Sequence, residues 1–206
     1  MLIRAGFKIA FDCNGYTPLL LMIHVRPELY ADMKEPEFLT LAPEIPYVTY
    51  ADTFGNICTR LIAPPGRLSL WNRFLFVDSG LPEQLPINAR QHQVPELPNE
   101  VLIYLLGSRY CDTQKLTARA WSLFGGCAEG WPRVQAILNY THSQIRFSYD
   151  NARADRTAFE ANQEQIGVCR DFAHLAISLC RCMNIPARYC TGYLGDIGVP
   201  PRLRTH

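Results

Sequence analysis

The pattern of hydrophobic and polar positions changes character part-way along the chain. Up to about residue 80, β-branched and aromatic residues partly alternate with polar ones. This pattern predicts strands over 2–13, 17–25, 46–52, 56–64 and 68–78, which are separated by turn-forming Asn, Gly and Pro residues. Several short strands at this spacing predict an N-terminal antiparallel β-sandwich domain over residues 1–80.

A proline-rich stretch follows the predicted strands. Residues 79–98 contain Pro82, Pro86, Pro95 and Pro98, which disfavour regular structure and predict a linker or an extended arm. We expect residues 81–110 to form this arm with one short helix, and residues 111–206 to form a second domain.

Beyond the arm, apolar residues recur with the period of a helix. Helices are predicted over 98–107, 114–125, 132–147 and 169–183. Thr157 and Glu160 fit a capping box that opens a further short helix, and Asn184 and Pro186 end the last long one. Residues 187–194 have a strand-like pattern, and 195–206 are irregular. The predicted fold class is therefore α+β.

Composition excludes several classes of partner. The chain has 206 residues, 48% of them hydrophobic and 19% charged, and its formal net charge is +1. That balance gives no reason to expect a nucleic acid or an anionic membrane as a partner. The start lacks the features of a signal peptide, and the apolar run 18–25 is too short to span a bilayer. We therefore expect a cytoplasmic protein.

The eight cysteines raise the question of disulfides or metal. In a chain of this length without a secretory signal, reduced thiols are the expectation. Cys180 and Cys182 are the closest pair, but on a helix they point about 200° apart and cannot easily share an ion. A metal site of Cys180, Cys182 and Cys190 is one alternative hypothesis.

Cys169 has a different setting, because it follows a Gly-Val turn and opens an amphipathic helix. We expect Phe172, Leu175, Ala176 and Leu179 to face the core. The first N–H groups of a helix have no internal partner and carry partial positive charge. They favour a thiolate and can hold the oxyanion that forms when it attacks an acyl group. The alternative interpretation is a structural thiol, since cysteine is commonly buried.

A thiol nucleophile also needs a base, and none of the five histidines is well placed for that role. His174 lies on the same predicted helix as Cys169 but is rotated about 140° from it, so we expect it to pack locally. His24 lies in the β-rich part and His92 in the arm. His142 has a mid-helix position, and His206 is the last residue.

The segment around Cys169 resembles a known family. Residues 167–173 (GVCRDFA), an apolar helix, and 185–189 (IPARY) followed by Gly192 and Tyr193 resemble the nucleophile region of the transglutaminase-like superfamily. Segments 107–111 and 145–149 fit the same family, and the N-terminal strands resemble the β-domain that precedes the core in bacterial members. The resemblance covers nearly all of residues 1–200.

The resemblance implies a papain-like core, in which helices pack on an antiparallel sheet. It also implies a Cys-His-Asp triad that transfers an acyl group to an amine or to water, and no cofactor. Only the cysteine carries over, to Cys169. The family's His and Asp lie on strands beyond the Gly-Tyr segment, and the sequence ends before either, with His206 lacking a strand around it. We therefore expect an incomplete core and no turnover.

The ending 202–206 (RLRTH) does not resemble the family's continuation. A truncated or frameshifted end is one explanation. The alternative is a shortened protein whose sheet edge is covered by a partner or by the proline-rich arm.

Other residues near Cys169 have two interpretations each. Gln163 and Gln165 either supply N–H donors to the oxyanion or are solvated turn residues. Asp171 is expected to interact with the N–H groups of the first helical turn. Arg170 is either a surface residue or part of a cleft.

The leading hypothesis is a transglutaminase-like acyl-transfer protein acting on a peptide or protein substrate. The alternative is a non-catalytic interaction module on the same fold. The substrate, the choice between amine and water, and the oligomeric state are open at this point.

Overall fold

The computed structural model describes residues 1–82 and 84–193 and has an α+β fold, as predicted. The described residues form two compact units. Unit 1 contains residues 1–82 and 191–193, and unit 2 contains residues 84–190.

Unit 1 consists of two antiparallel sheets. Its strands are β1 Leu2–Cys13, β2 Thr17–Leu21, β3 Met33–Glu35, β4 Thr40–Ala42, β5 Tyr47–Ala51, β6 Ile57–Ala63 and β7 Gly66–Val77. In the first sheet β7 pairs with β1, β3 and β4, and the second sheet has the order β2-β6-β5. A 3₁₀ turn, Pro27–Asp32, precedes β3.

The two sheets of unit 1 share one apolar core. Leu61 and Ala63 of β6 and Leu68 and Leu70 of β7 are buried in it together with Leu41. Successive strand residues point to opposite faces, so alternate residues are buried from Thr59 to Ala63 in β6 and from Leu68 to Phe74 in β7. This arrangement confirms the predicted antiparallel sandwich. The short β3 and β4 were not predicted, because three residues are too few to show an alternation.

A partly buried polar cluster ties the strands of unit 1 together. The Glu37 carboxylate accepts hydrogen bonds from the Asn72 side chain at 2.8 Å and from the Val25 N–H at 3.2 Å. His24 lies between Glu37 at 3.1 Å and Thr59 at 2.7 Å. Burial alone would raise the pKa of Glu37, but the hydrogen bonds from His24, Asn72 and Val25 outweigh it, so that the pKa is lowered.

Unit 2 is a cluster of helices around a central one. Its α-helices are α1 Thr113–Phe124, α2 Trp131–Gln144, α3 Ala158–Glu164 and α4 Cys169–Cys182. Helix α4 packs against the other three. Leu175 and Leu179 of α4 are fully buried, and so is Met183, the C-cap residue of this helix. Phe172 packs against this core while partly exposed, and Ala176 is only half-buried.

Several predicted helices differ in their bounds or type. The segment predicted as a helix over 98–107 forms a 3₁₀ helix, Asn99–Leu105. Helix α2 ends at Gln144 instead of continuing to residue 147, because Arg146–Phe147 forms strand β8. The predicted capping box of Thr157 and Glu160 is present, and Asn184 follows the C-cap of α4 with a left-handed φ of 59°.

In the described part of unit 2 the one strand pairing is parallel. Strand β8 pairs with β9, Ile166–Gly167, and each has two residues. The strand predicted over residues 187–194 is absent from 187–193, and residue 194 lies outside the described range. At its first residue, the Ala187 N–H donates instead to the Tyr104 carbonyl, and the Ala187 carbonyl accepts from the Arg181 side chain.

The proline-rich arm is irregular, as predicted, apart from a 3₁₀ turn at Val94–Glu96. Within unit 2 it is fixed to the helices. The Trp131 N–H donates to the Ala89 carbonyl at 3.0 Å, and the Gln91 side chain donates to the Met183 carbonyl at 2.8 Å. None of the helices in the described ranges has both the length and the apolarity needed to cross a lipid bilayer.

Candidate active site

Cys169 is the first residue of α4, as predicted, and Val168 is the N-cap. Strand β9 ends at Gly167, so a single residue separates the strand from the helix. The Cys169 thiol is free and the residue is exposed. The structure therefore places this cysteine at a sharp strand-to-helix turn, open to solvent.

The backbone of this turn leaves two donors free of the helical ladder. The Asp171 N–H donates to the Val168 carbonyl at 2.8 Å, and the Phe172 N–H donates to the same oxygen at 3.4 Å. The N–H groups of Cys169 and Arg170 have no acceptor within the helix, because they precede its first internal bond. They carry the partial positive charge of the helix start, which favours a thiolate and an adjoining oxyanion.

Asp171 fixes the start of the helix through two hydrogen bonds. Its Oδ2 accepts from the Val168 N–H at 2.8 Å and from the Arg156 guanidinium at 3.1 Å. The predicted interaction of Asp171 with N–H groups at the helix start is thus found at the N-cap. Sequence reasoning missed Arg156, because nothing in the spacing relates it to a residue fifteen positions further on.

Aromatic side chains border the nucleophile on one side. Phe172, one helical turn after Cys169, lies against Phe147 with ring centroids 6.4 Å apart. Phe147 in turn meets the Tyr149 ring edge-on at 4.9 Å. Phe147 and Tyr149 are exposed. This side of the site therefore offers an apolar, aromatic surface.

Tyr189 lies near the thiol, from the segment that follows α4. Burial raises the pKa of its hydroxyl, the charge of the Cys169 thiolate raises it further, and Arg170 opposes both. Its ring is 5.4 Å from the ring of His174. A phenol donor thus lies within electrostatic reach of Cys169.

His174 packs locally, as expected from its rotation on the helix. Its ring is buried and stacks on Tyr110 at 5.4 Å with an interplanar angle of 4°. Burial lowers the pKa of His174, and the charge of Arg170 adds to this effect. Its Nδ1 has no hydrogen-bond partner among the described residues.

The remaining described histidines are held elsewhere. His24 is bonded within unit 1, His92 lies 3.5 Å from Glu96, and His142 is exposed on α2. In residues 1–82 and 84–193, no hydrogen bond joins Cys169 to a histidine. His206 and the tail 202–206 lie outside the described residues.

The two glutamines interpreted either as oxyanion donors or as solvated turn residues are exposed. Gln163 lies in the last turn of α3, and Gln165 is its C-cap in a left-handed conformation with φ 55°. The Gln165 carbonyl accepts from the Arg146 N–H at 2.9 Å. Their role at the oxyanion stays a prediction.

Arg170 donates to the Arg153 carbonyl, which ties Arg170 to the loop before α3.

Two of the other three cysteines of this region differ from Cys169 in exposure. Cys180 and Cys182 are buried, and burial raises the pKa of the Cys180 thiol to about 12. Cys190 is exposed, and all eight cysteines are free. Within the described ranges, no three His, Cys, Asp or Glu side chains form a group that could hold a metal ion. The alternative site of Cys180, Cys182 and Cys190 is thus not formed.

Comparison with known proteins agrees with this geometry. Residues 118–201 match the family model described as Transglutaminase-like superfamily, and this range includes Cys169 and all of α4. Residues 118–201 are thus similar to a transglutaminase-like domain.

Two similar proteins extend the comparison. The transglutaminase-like chain resembles a crystal structure from Cytophaga hutchinsonii, provisionally named a cysteine protease, with a TM-score of 0.76 and 25% identity. That similarity covers 90% of this chain and 65% of the other. An uncharacterised protein of Mycobacterium leprae is 34% identical over 61 residues, which are 30% of this chain and 22% of that relative.

Proposed function

We propose that this transglutaminase-like protein uses Cys169 as the nucleophile of an acyl transfer. The thiolate attacks the carbonyl carbon of a glutaminyl side chain or a peptide bond. Ammonia or an amine leaves, taking up a proton, and a thioester to Cys169 results. In a complete member of the family, an amine or water would then attack the thioester and release the acyl group. The substrate in this proposal is a peptide or protein.

The observation that carries the proposal is the exposed Cys169 at the first position of α4. The N–H groups of Cys169 and Arg170 supply an oxyanion hole of the usual kind, because they carry partial positive charge. The aromatic surface of Phe147, Tyr149 and Phe172 suits the side chains of a peptide. A chain with eight free thiols fits a reducing compartment such as the cytoplasm.

We further propose that this chain forms a reactive thiolate but does not complete turnover. General acid–base catalysis contributes about 10²- to 10⁴-fold. None of the hydrogen bonds of the described residues brings a histidine to Cys169. An interaction module on the same fold is the second candidate function, and the same observation favours it.

Thiol labelling tests the nucleophile directly. The protein is treated with iodoacetamide at neutral pH for increasing times, and each cysteine peptide is quantified by mass spectrometry. Cys190 is the matched control, because it is also exposed but does not begin a helix. We expect Cys169 to label at least about tenfold faster than Cys190. Equal rates at the two residues would refute the nucleophile and favour the interaction module.

Acylation provides a second measurement. An activated ester such as p-nitrophenyl acetate should acetylate Cys169 once per chain and release one equivalent of nitrophenol in a burst. Cys169→Ser should abolish the burst, whereas Cys190→Ser should leave it unchanged. A burst that survives in Cys169→Ser would mean that another group is acylated.

A further inference from the structure

We propose that Arg156 controls the reactivity of Cys169 by cancelling the negative charge of Asp171. Arg156 does not touch the reacting atoms and acts through Asp171, so it is a positioning residue. This inference rests on the proposed function and deepens it.

Asp171 carries a negative charge close in sequence to the proposed nucleophile. It lies in the same first turn of α4 as Cys169, two residues further on, and its side chain is fully buried. Buried charges are screened by salt much less than exposed ones. Unopposed, the carboxylate would disfavour a thiolate at Cys169, because like charges raise the cost of ionisation.

The Arg156 guanidinium lies directly on this carboxylate. It donates to Asp171 Oδ2 at 3.1 Å, and its side chain is only 4% exposed. On its other side it donates to Glu164 at 2.9 Å, and Glu164 in turn pairs with Arg153 at 2.9 Å. The charges therefore alternate in sign from Arg153 through Glu164 and Arg156 to Asp171, and Arg153 also pairs with Asp155 and Glu160. The helix start can then act on Cys169 with its own positive end.

Other ionisable groups around the thiol do not replace Arg156. Arg170, on the same helix, is 4.0 Å from Asp171 Oδ1, and it is bound to the Arg153 carbonyl and partly exposed. Tyr189 and His174, whose rings lie 5.4 Å apart, carry no positive charge that would oppose Asp171. Of these groups, Arg156 alone is both buried and hydrogen-bonded to the carboxylate.

A double-mutant cycle of Arg156 and Asp171 separates this electrostatic role from a merely structural one. The labelling rate of Cys169 with iodoacetamide is measured at about pH 6.5, where a change in thiolate stability alters the rate directly. Arg156→Met should slow labelling about tenfold, because a like charge is left uncancelled. Asp171→Asn should speed it several-fold, because Arg156 then faces the thiol unopposed. The double variant should label within about threefold of the wild type.

The signs of these changes decide the outcome. A structural role predicts that both single variants lose reactivity and that the double variant is no better. That result, with circular dichroism showing folded protein, would overturn the inference. Arg153→Met is the matched control: it removes an arginine from the same ion-pair chain without touching Asp171, and should change the rate less than about twofold.

The variants also cover two other outcomes of the experiment. If Arg156→Met does not fold, Asp171→Asn and the double variant decide, since neither leaves a buried charge without a partner. If Cys169 of the wild type labels no faster than Cys190, the proposed function fails. If Cys169 labels faster than Cys190 but Arg156→Met and Asp171→Asn do not change its labelling rate in opposite directions, only the role of Arg156 fails.

Discussion

Gly167 is the position where one added methyl group should disturb the site most. A Cβ at Gly167 would lie 2.7 Å from both the Cβ and the Oδ2 of Asp171. Carbon atoms in contact are normally about 3.5–4.0 Å apart, so Asp171 has to move. Shortening the side chain does not relieve this contact, because the Cβ of residue 171 is itself one of the two clashing atoms.

The expected cost follows from these contacts. Overpacking a well-packed position costs about 1–3 kcal/mol, while the lower entropy of an unfolded chain with Ala returns about 0.4–1 kcal/mol. We therefore expect Gly167→Ala to lower the free energy of unfolding by about 1–2 kcal/mol. With a urea m-value of about 2 kcal/mol/M, the unfolding midpoint should fall by about 0.5–1 M.

The assay is urea unfolding followed by far-ultraviolet circular dichroism, which reports on the α-helices of unit 2. Gly126→Ala is the matched control, because a Cβ there would meet nothing within 4 Å. Its midpoint should stay unchanged or rise slightly. Gly167→Ala should also slow the labelling of Cys169, since Asp171 caps the Val168 N–H. Equal midpoints and equal labelling in the two variants would refute the close approach at Gly167.

Three further predictions concern stability and turnover. Leu179→Ala empties a fully buried position and should cost about 2–5 kcal/mol in urea unfolding. The same change at the partly exposed Leu123 should cost less than about 1 kcal/mol, and equal losses would contradict the assignment of the core. Because burial lowers the pKa of His174, with Arg170 adding to the effect, the folded state binds fewer protons than the unfolded chain. Stability should therefore fall as the pH drops below about 6.5, and His174→Phe should flatten that slope between about pH 5 and 7. Finally, the 206-residue chain should incorporate no labelled amine into a glutaminyl peptide, and incorporation that disappears in Cys169→Ala would disprove this.

The local parts of the fold could be predicted from the sequence, because neighbouring residues determine them. The helical period and the Gly-Val turn placed Cys169 at the start of α4. The capping box of Thr157 and the left-handed Asn184 follow from side-chain and backbone preferences within a few residues. Five of the strands in unit 1 follow from a period-two pattern long enough to recognise.

The tertiary structure decided which distant groups meet. Arg156 and Asp171 form a buried pair although nothing local links them. A strand-like pattern over 187–193 forms no strand in the described residues, and its first residue, Ala187, is bonded to Tyr104 and Arg181 instead. Short-range preferences fix where an element begins and ends, whereas a buried charge takes whichever partner the packing of the helices brings within hydrogen-bond distance.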